Sequence, residues 1–183
     1  ITAQNTVGVH SQLAIAPEMV QSQIVAVMED IEPAVIKIGM LANAEVATAV
    51  ADALSRYSIP IILDPVMVSS SGHRLLSVEA EEVVKRRLLP MATLITPNIP
   101  EMVALTSMPL TTLDEKLAAA RHLIALGAHA VLLKGGHEEG DIKTDILYQN
   151  SAEGIITSHF SAPTIATRNI HGTGCTLSSA IAA

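Results

Sequence analysis

Three short apolar runs in this chain end in side chains able to do chemistry. Pro60-Ile61-Ile62-Leu63 runs into Asp64-Pro65-Val66-Met67, and Thr93-Leu94-Ile95 into Thr96-Pro97-Asn98-Ile99-Pro100-Glu101. Ala130-Val131-Leu132-Leu133 runs into Lys134-Gly135-Gly136-His137, while a fourth run, Ala34 to Ile38, ends in Gly39-Met40. In open parallel sheets ligands bind beyond the carboxyl ends of the strands, so Asp64, Glu101 and Lys134 are expected on one rim. Two carboxylates with a lysine suit Mg2+ and phosphate, because hard oxygens hold the metal and an ammonium holds the anion. The plainer alternative also stands, since Asp or Asn after a strand is an ordinary helix cap.

A second candidate is His171-Gly172-Thr173-Gly174-Cys175-Thr176, followed by the helical Leu177-Ser178-Ser179-Ala180. Glycines on both sides of Thr173 let the backbone turn tightly and present N–H groups at a helix start, an anion-binding nest. Cys175 falls in the first turn, where the positive helix end lowers a thiol pKa and makes a base or nucleophile. A plain loop and a cysteine acting as a small hydrophobe are the alternatives. The histidines His10, His73, His122, His129 and His159 have no metal-ligand spacing and are expected at the surface or in packing. His137 and His171 adjoin the candidate site, where a supporting hydrogen bond is expected rather than catalysis. The Glu138-Glu139-Gly140-Asp141 run reads as a solvated loop, with a nucleotide flap as the alternative.

The elements that must position these residues are legible. The four runs are nearly continuous in apolar character, as befits strands buried on both faces of a parallel sheet. Between them lie amphipathic segments with readable ends. Pro17 suits a first helical turn, Asn43 and Ser77 suit N-caps, Thr112 with Glu115 makes a capping box, and Gly127 follows Leu126 where a helix should stop. Strand and helix in alternation predict an α/β fold with right-handed crossovers. Thr144–Gln149 and Ile155–Phe160, joined by residues 150–154, predict an antiparallel hairpin on the sheet edge, near residues 143–161.

Composition narrows the function. Of 183 residues, 49% are apolar and 16% charged, which sets disorder aside. Eighteen acidic against eleven basic side chains, with 2% aromatics, leave no footprint for nucleic acid. The single cysteine excludes an internal disulfide and suits a reducing compartment. No apolar run is long enough for a membrane span, and no basic-then-apolar leader opens the sequence, so a cytoplasmic protein is expected. One domain over 1–183 is expected. The ends, Ile1 near a strand terminus and Ala183 inside a helical pattern, predict that it is incomplete at both termini.

Taken together, six blocks resemble hydroxymethylpyrimidine/phosphomethylpyrimidine kinases. They are Ala3-Gln4-Asn5-Thr6, Lys37-Ile38-Gly39-Met40-Leu41, Leu63 to Met67, Thr96 to Glu101, Lys134 to His137 and His171 to Thr176. They follow the family's order across nearly the whole chain, and some occur also in pyridoxal kinases. The resemblance implies a ribokinase-like three-layer sandwich with a mostly parallel central sheet flanked by helices. It implies ATP-dependent phosphorylation of 4-amino-5-hydroxymethyl-2-methylpyrimidine and then of its monophosphate, in thiamine biosynthesis, with Mg2+ and in a homodimer. By resemblance Gln4 reads the pyrimidine edge, and Met40 and Val66 line its pocket. Asp64, Asn98, Lys134 and Thr173 serve the nucleotide, and Glu101 with Asp64 the metal. Gly172, Thr173 and Gly174 form the anion hole, and Cys175 takes the place of the base. A pyridoxal kinase of the same fold, or a binding remnant without turnover, is the alternative.

Overall fold

The computed structural model describes residues 1–5, 8–67, 75–136, 140–167 and 171–183. An antiparallel pair, β1 (Thr2–Gln4) and β2 (Val9–Gln12), precedes α1 (Pro17–Asp30). The central portion runs β3 (Ile36–Ile38), α2 (Ala44–Leu54), β4 (Ile61–Leu63), α3 (Val78–Val83), β5 (Leu94–Ile95), α4 (Ile99–Thr106), α5 (Leu113–Ala125) and β6 (Ala130–Leu133). Strands β7 (Ile142–Ser151) and β8 (Gly154–Pro163) and helix α6 (Thr173–Ala182) complete it.

Six strands form one sheet in the order β3-β4-β5-β6-β7-β8. The first four are parallel and the last two antiparallel, which gives the mixed, mostly parallel α/β sheet the sequence predicts. Leu63, Ile95 and Val131 lie in register across three strands, each with 1% exposure or less. Helix α6 packs against β4 and β3, and α5 against β6 and β7. The core draws Val46, Ala47 and Val50 from α2, Leu88 and Leu89 from the segment after α3, and Tyr148 from β7. Burial of the valine and leucine side chains among them stabilises by about 1.5–3 kcal/mol each.

Helix starts follow the expected chemistry. Asn43 accepts from the Val46 N–H at 2.9 Å, and Ser77 from the Ala80 N–H at 3.2 Å. Thr112 and Glu115 form the expected capping box, and Pro17 stands in the first turn of α1. Gly127 has φ of +115°, and a Cβ there would lie 2.8 Å from the Pro90 Cα, so glycine is required twice over. Beyond α3 the coil widens into a π-helical stretch, Val84–Leu88, then tightens into a 3-10 turn at Leu89–Met91.

Three features differ from the expectation. The hairpin strands are longer, and only Ala152 and Glu153 remain outside the ladder. Ser151 closes that short turn by donating to the Gly154 carbonyl at 2.6 Å and accepting from the Glu153 N–H, with Gly154 at φ +117°. Helix α4 is unanticipated because Pro100 obscures it, yet proline is tolerated in a first turn, where the N–H has no intrahelical partner. The β1–β2 pair goes beyond the strand end expected at Ile1; it is largely exposed and has no apolar alternation to announce it.

Candidate active site

The strand ends form a continuous rim. The Asp64 N–H donates to the Ile38 carbonyl at 2.9 Å, the Thr96 N–H to Leu63 at 3.0 Å, and the Lys134 N–H to Pro97 at 2.9 Å. Asn98 and Lys134 are joined by a further parallel bridge. Each sheet ladder thus runs just past its apolar residues, and the first polar side chains are set by backbone rather than by flexible loop.

Asp64 is the hub. Its carboxylate is buried, a position that an ionised group holds only with partners. Oδ1 accepts from the Lys134 ammonium at 3.1 Å and from the Thr96 hydroxyl at 3.3 Å. Oδ2 accepts from the Ser178 hydroxyl at 3.0 Å, and the Lys37 ammonium stands 4.0 Å away. Lys134 also lies 3.8 Å from Glu101 Oε2. The expected meeting of Asp64, Glu101 and Lys134 is therefore present. Protein donors already occupy both Asp64 oxygens, so this carboxylate would reach a metal or nucleotide only by surrendering them.

Asn98 and Glu101 have a structural task. The Asn98 side chain accepts from the Glu101 N–H, and Glu101 Oε2 accepts from the Asn98 N–H, both at 2.8 Å. This reciprocal capping box opens α4 and points the Glu101 carboxyl at Lys134. Burial pushes the Glu101 pKa up, and Asp64 adds to the rise, while Lys134 and the Asn98 N–H pull against it.

Helix α6 begins differently. Its N-cap is Gly172 at φ +74°, which has no side chain to cap the first turn. Thr173 is exposed at its first position, and a Cβ on Gly174 would lie 3.2 Å from Lys134 Nζ, so the ammonium runs close beneath this backbone. Cys175 follows. The first-turn position was expected to lower its thiol pKa; the structure overturns that expectation. The residue is exposed, yet protein packed around its sulfur pushes the pKa up, and the negative charge of the Asp64 carboxylate works the same way. The ammonium groups of Lys37 and Lys134 pull it down without prevailing. The helix end is a partial charge, and here desolvation is larger.

Met40 and Val66, both half-buried, follow neighbouring strands β3 and β4. Gln4 is exposed on β1, in the separate two-stranded sheet, and its side chain makes no hydrogen bond among the described residues. His73, His137, Glu138, Glu139 and Thr6 lie outside the described residues. A mainly apolar groove lies to one side, between α1, β3 and α2, lined by Ile24, Met28, Leu41 and Val50.

Four residues join the site without a role assigned from sequence, Lys37 and Thr96 inside the six blocks and Ser178 and Asp145 outside them. Lys37 is a charged side chain between two isoleucines of β3, and a lysine in a buried strand implies an anionic partner. Thr96 and Ser178 are polar and fully buried, and the Ser178 hydroxyl also lies 3.0 and 3.1 Å from the Gly174 and Cys175 carbonyls. It has one proton for three acceptors. Asp145, on β7, accepts from the Gly135 N–H at 2.8 Å, and a Cβ on Gly135 would overlap the Thr144 carbonyl oxygen. The hairpin therefore pins the turn that carries Lys134.

No cluster of three or more metal-ligating side chains is present among the described residues. Mg2+ does not require one, because it keeps several waters and uses one or two carboxylates with substrate phosphates. Glu101 fits that donor set. No helix is long and apolar enough to cross a membrane among the described residues.

Comparison with known proteins places the chain among kinases. A family model described as phosphomethylpyrimidine kinase matches residues 1–183. The hydroxymethylpyrimidine/phosphomethylpyrimidine kinase of Salmonella typhimurium is 46% identical over 185 residues, covering 100% of this chain and 68% of the relative. The crystal structure of phosphomethylpyrimidine kinase from Clostridium difficile aligns at TM-score 0.83 and 37% identity, over 99% of this chain and 72% of that one. An ADP complex of Bacillus subtilis pyridoxal kinase aligns at TM-score 0.84 and 27% identity, over 99% of this chain and 66% of that one.

Proposed function

The chain belongs to the phosphomethylpyrimidine kinase family, and from that premise we propose that the full-length protein phosphorylates 4-amino-5-hydroxymethyl-2-methylpyrimidine and then its monophosphate, in thiamine biosynthesis. The observation that carries this reading is the Lys134 ammonium, set between two carboxylates and close to the start of α6, which has no side-chain cap. That is an arrangement for receiving phosphate: a cation, helix N–H groups and acidic oxygens share one small rim.

In the first transfer the hydroxymethyl oxygen attacks the γ-phosphorus of ATP. The new O–P bond forms as the bond to the β–γ bridging oxygen breaks, and ADP leaves. Cys175, as thiolate, takes the alcohol proton. Lys134 leaves Asp64 in part to meet the phosphoryl oxygens, and the backbone of Gly172 to Gly174 meets the charge that develops on them. Asp64 then acts chiefly through Lys134 and Ser178. Asn98 and Thr173 face the nucleotide. Glu101, with Asp64 as a second carboxylate, would hold Mg2+, which would supply charge neutralisation at the phosphates. In the second transfer the attacking atom is a phosphate oxygen, which has little need of a base. Gln4, Met40 and Val66 select the pyrimidine. The protein acts in the cytoplasm as a homodimer.

The fold likeness to a pyridoxal kinase supplies a second reading, with the lower identity against it. Mass spectrometry of products decides, with the full-length protein, Mg-ATP, the pyrimidine alcohol and pyridoxal in competition. Pyrimidine mono- and diphosphate are expected. Pyridoxal phosphate as the main product would overturn the assignment.

A further inference from the structure

Two ammonium groups flank Asp64, and only one is fully engaged. Lys134 reaches it from β6, at 3.1 Å, and has Glu101 as a second carboxylate. Lys37 reaches from β3, on the opposite side of β4, and stands at 4.0 Å from Oδ2, beyond hydrogen-bond distance. Among the described residues it makes no hydrogen bond, and its side chain is 20% exposed. Its ammonium passes over Gly39, where a Cβ would lie only 2.7 Å from Nζ, so a backbone without a side chain gives it its path to the rim. A strongly hydrated cation with three donors, one carboxylate at the edge of ion-pair distance and no hydrogen bond among the described residues has donors to spare for a second anion.

The reaction proposed above, on which this inference rests, brings two different phosphate loads to the rim. The first transfer has one, the nucleotide. The second has two, because the acceptor itself is a phosphate monoester. Lys134, tied to β6, Glu101 and the nest, answers the nucleotide. β3 and β6 are separated by two strands, and their lysines reach the same Asp64 carboxylate from opposite sides, Lys134 at Oδ1 and Lys37 at Oδ2. Lys37 lies on the strand that leads into Met40, beneath α6, which packs on β3 and β4.

We propose that Lys37 is the binding residue for the phosphate of the acceptor in the second transfer, and so sets the preference of the site for a phosphomonoester over the free alcohol. The ammonium donates to acceptor phosphate oxygens at the edge of the nest, and Asp64 restrains it when no acceptor phosphate is bound. Its loss falls on the second transfer more than the first.

The test compares kcat/KM for the two acceptors in full-length wild-type protein, Lys37→Met and Lys37→Arg. Hydrogen bonds to charged groups correspond to a factor of about 10 to 100. The ratio of second to first transfer is expected to fall by that factor in Lys37→Met, through KM for the monophosphate, and to recover largely in Lys37→Arg. Equal losses in both transfers, or an unchanged ratio, would overturn the assignment. A measurement on the wild type keeps the question open to refutation should Lys37→Met not fold. Acetylation of Lys37, read by peptide mass spectrometry, is expected to slow in the presence of the monophosphate and much less in the presence of the alcohol. Equal protection by both would also overturn it. A wild-type protein that phosphorylates neither acceptor would sink the functional reading itself, an outcome distinct from active protein with an insensitive ratio.

Discussion

Two helices begin on the same rim, and their first turns are built in opposite ways. Helix α4 opens with Asn98 and Glu101 exchanging hydrogen bonds with each other's backbone, so its end is satisfied within the chain. Helix α6 opens on Gly172, in a left-handed conformation and without a side-chain cap. A helix start has several N–H groups without intrahelical partners, and each must meet a side chain, water or a ligand. The contrast separates a helix end that holds the fold from one suited to an outside anion, although both follow strands of one sheet system and both lie near Lys134.

The contrast can be broken from either side. The largest effect is expected at α6: Cys175→Ala should slow the first transfer by about 10²–10⁴-fold, the usual contribution of a general base, and the second much less. Because the thiol pKa is raised, the wild-type rate of the first transfer should climb with pH into the alkaline range, and the variant should lose that limb. Quenched-flow product analysis across pH reads both, and equal losses in the two transfers would remove Cys175 from the base role. Ser178→Ala comes next. It strips a donor from buried Asp64 and should lower stability by about 1–3 kcal/mol in denaturant unfolding, with slower turnover as the start of α6 loosens.

Asn98→Ala should cost about 1 kcal/mol, and so should Thr112→Ala in the distant capping box of α5. Only the first should also reduce kinase activity, since it frees the carboxyl that faces Lys134; matching losses would show that α4 has no part in the chemistry. The smallest effect concerns pH. Glu101 has a raised pKa in the fold, so between its ordinary value and that raised value the folded state holds more protons than the unfolded one. Stability due to this group therefore falls as pH rises through that window. Glu101→Gln should flatten the fall in melting temperature above the ordinary carboxylate range, and an unchanged slope would refute the burial argument.

What the sequence discloses follows the range of the forces involved. Caps at Asn43, Ser77 and Thr112 act over three residues, and the apolar runs of the parallel strands act over four or five, so both are legible in a single line of text. The rim residues Asp64, Glu101 and Lys134 are legible because topology alone sends strand ends to one side. Ser178 and Asp64 are 114 positions apart, and nothing local connects them. The direction of the Cys175 pKa depends on how much protein gathers around the sulfur, which a helix-end argument leaves out. The β1–β2 pair escapes notice because its strands are short and mostly exposed.

The hairpin of β7 and β8 has a consequence for redesign. It contacts no proposed substrate atom, yet Asp145 holds the Gly135 N–H and the Thr144 carbonyl excludes any side chain there. The lysine turn is thus fastened from outside the rim, like a string tuned at the peg rather than at the bridge. Substitutions along β7 therefore offer a way to shift the turn that carries Lys134 while leaving the residues of the rim itself untouched.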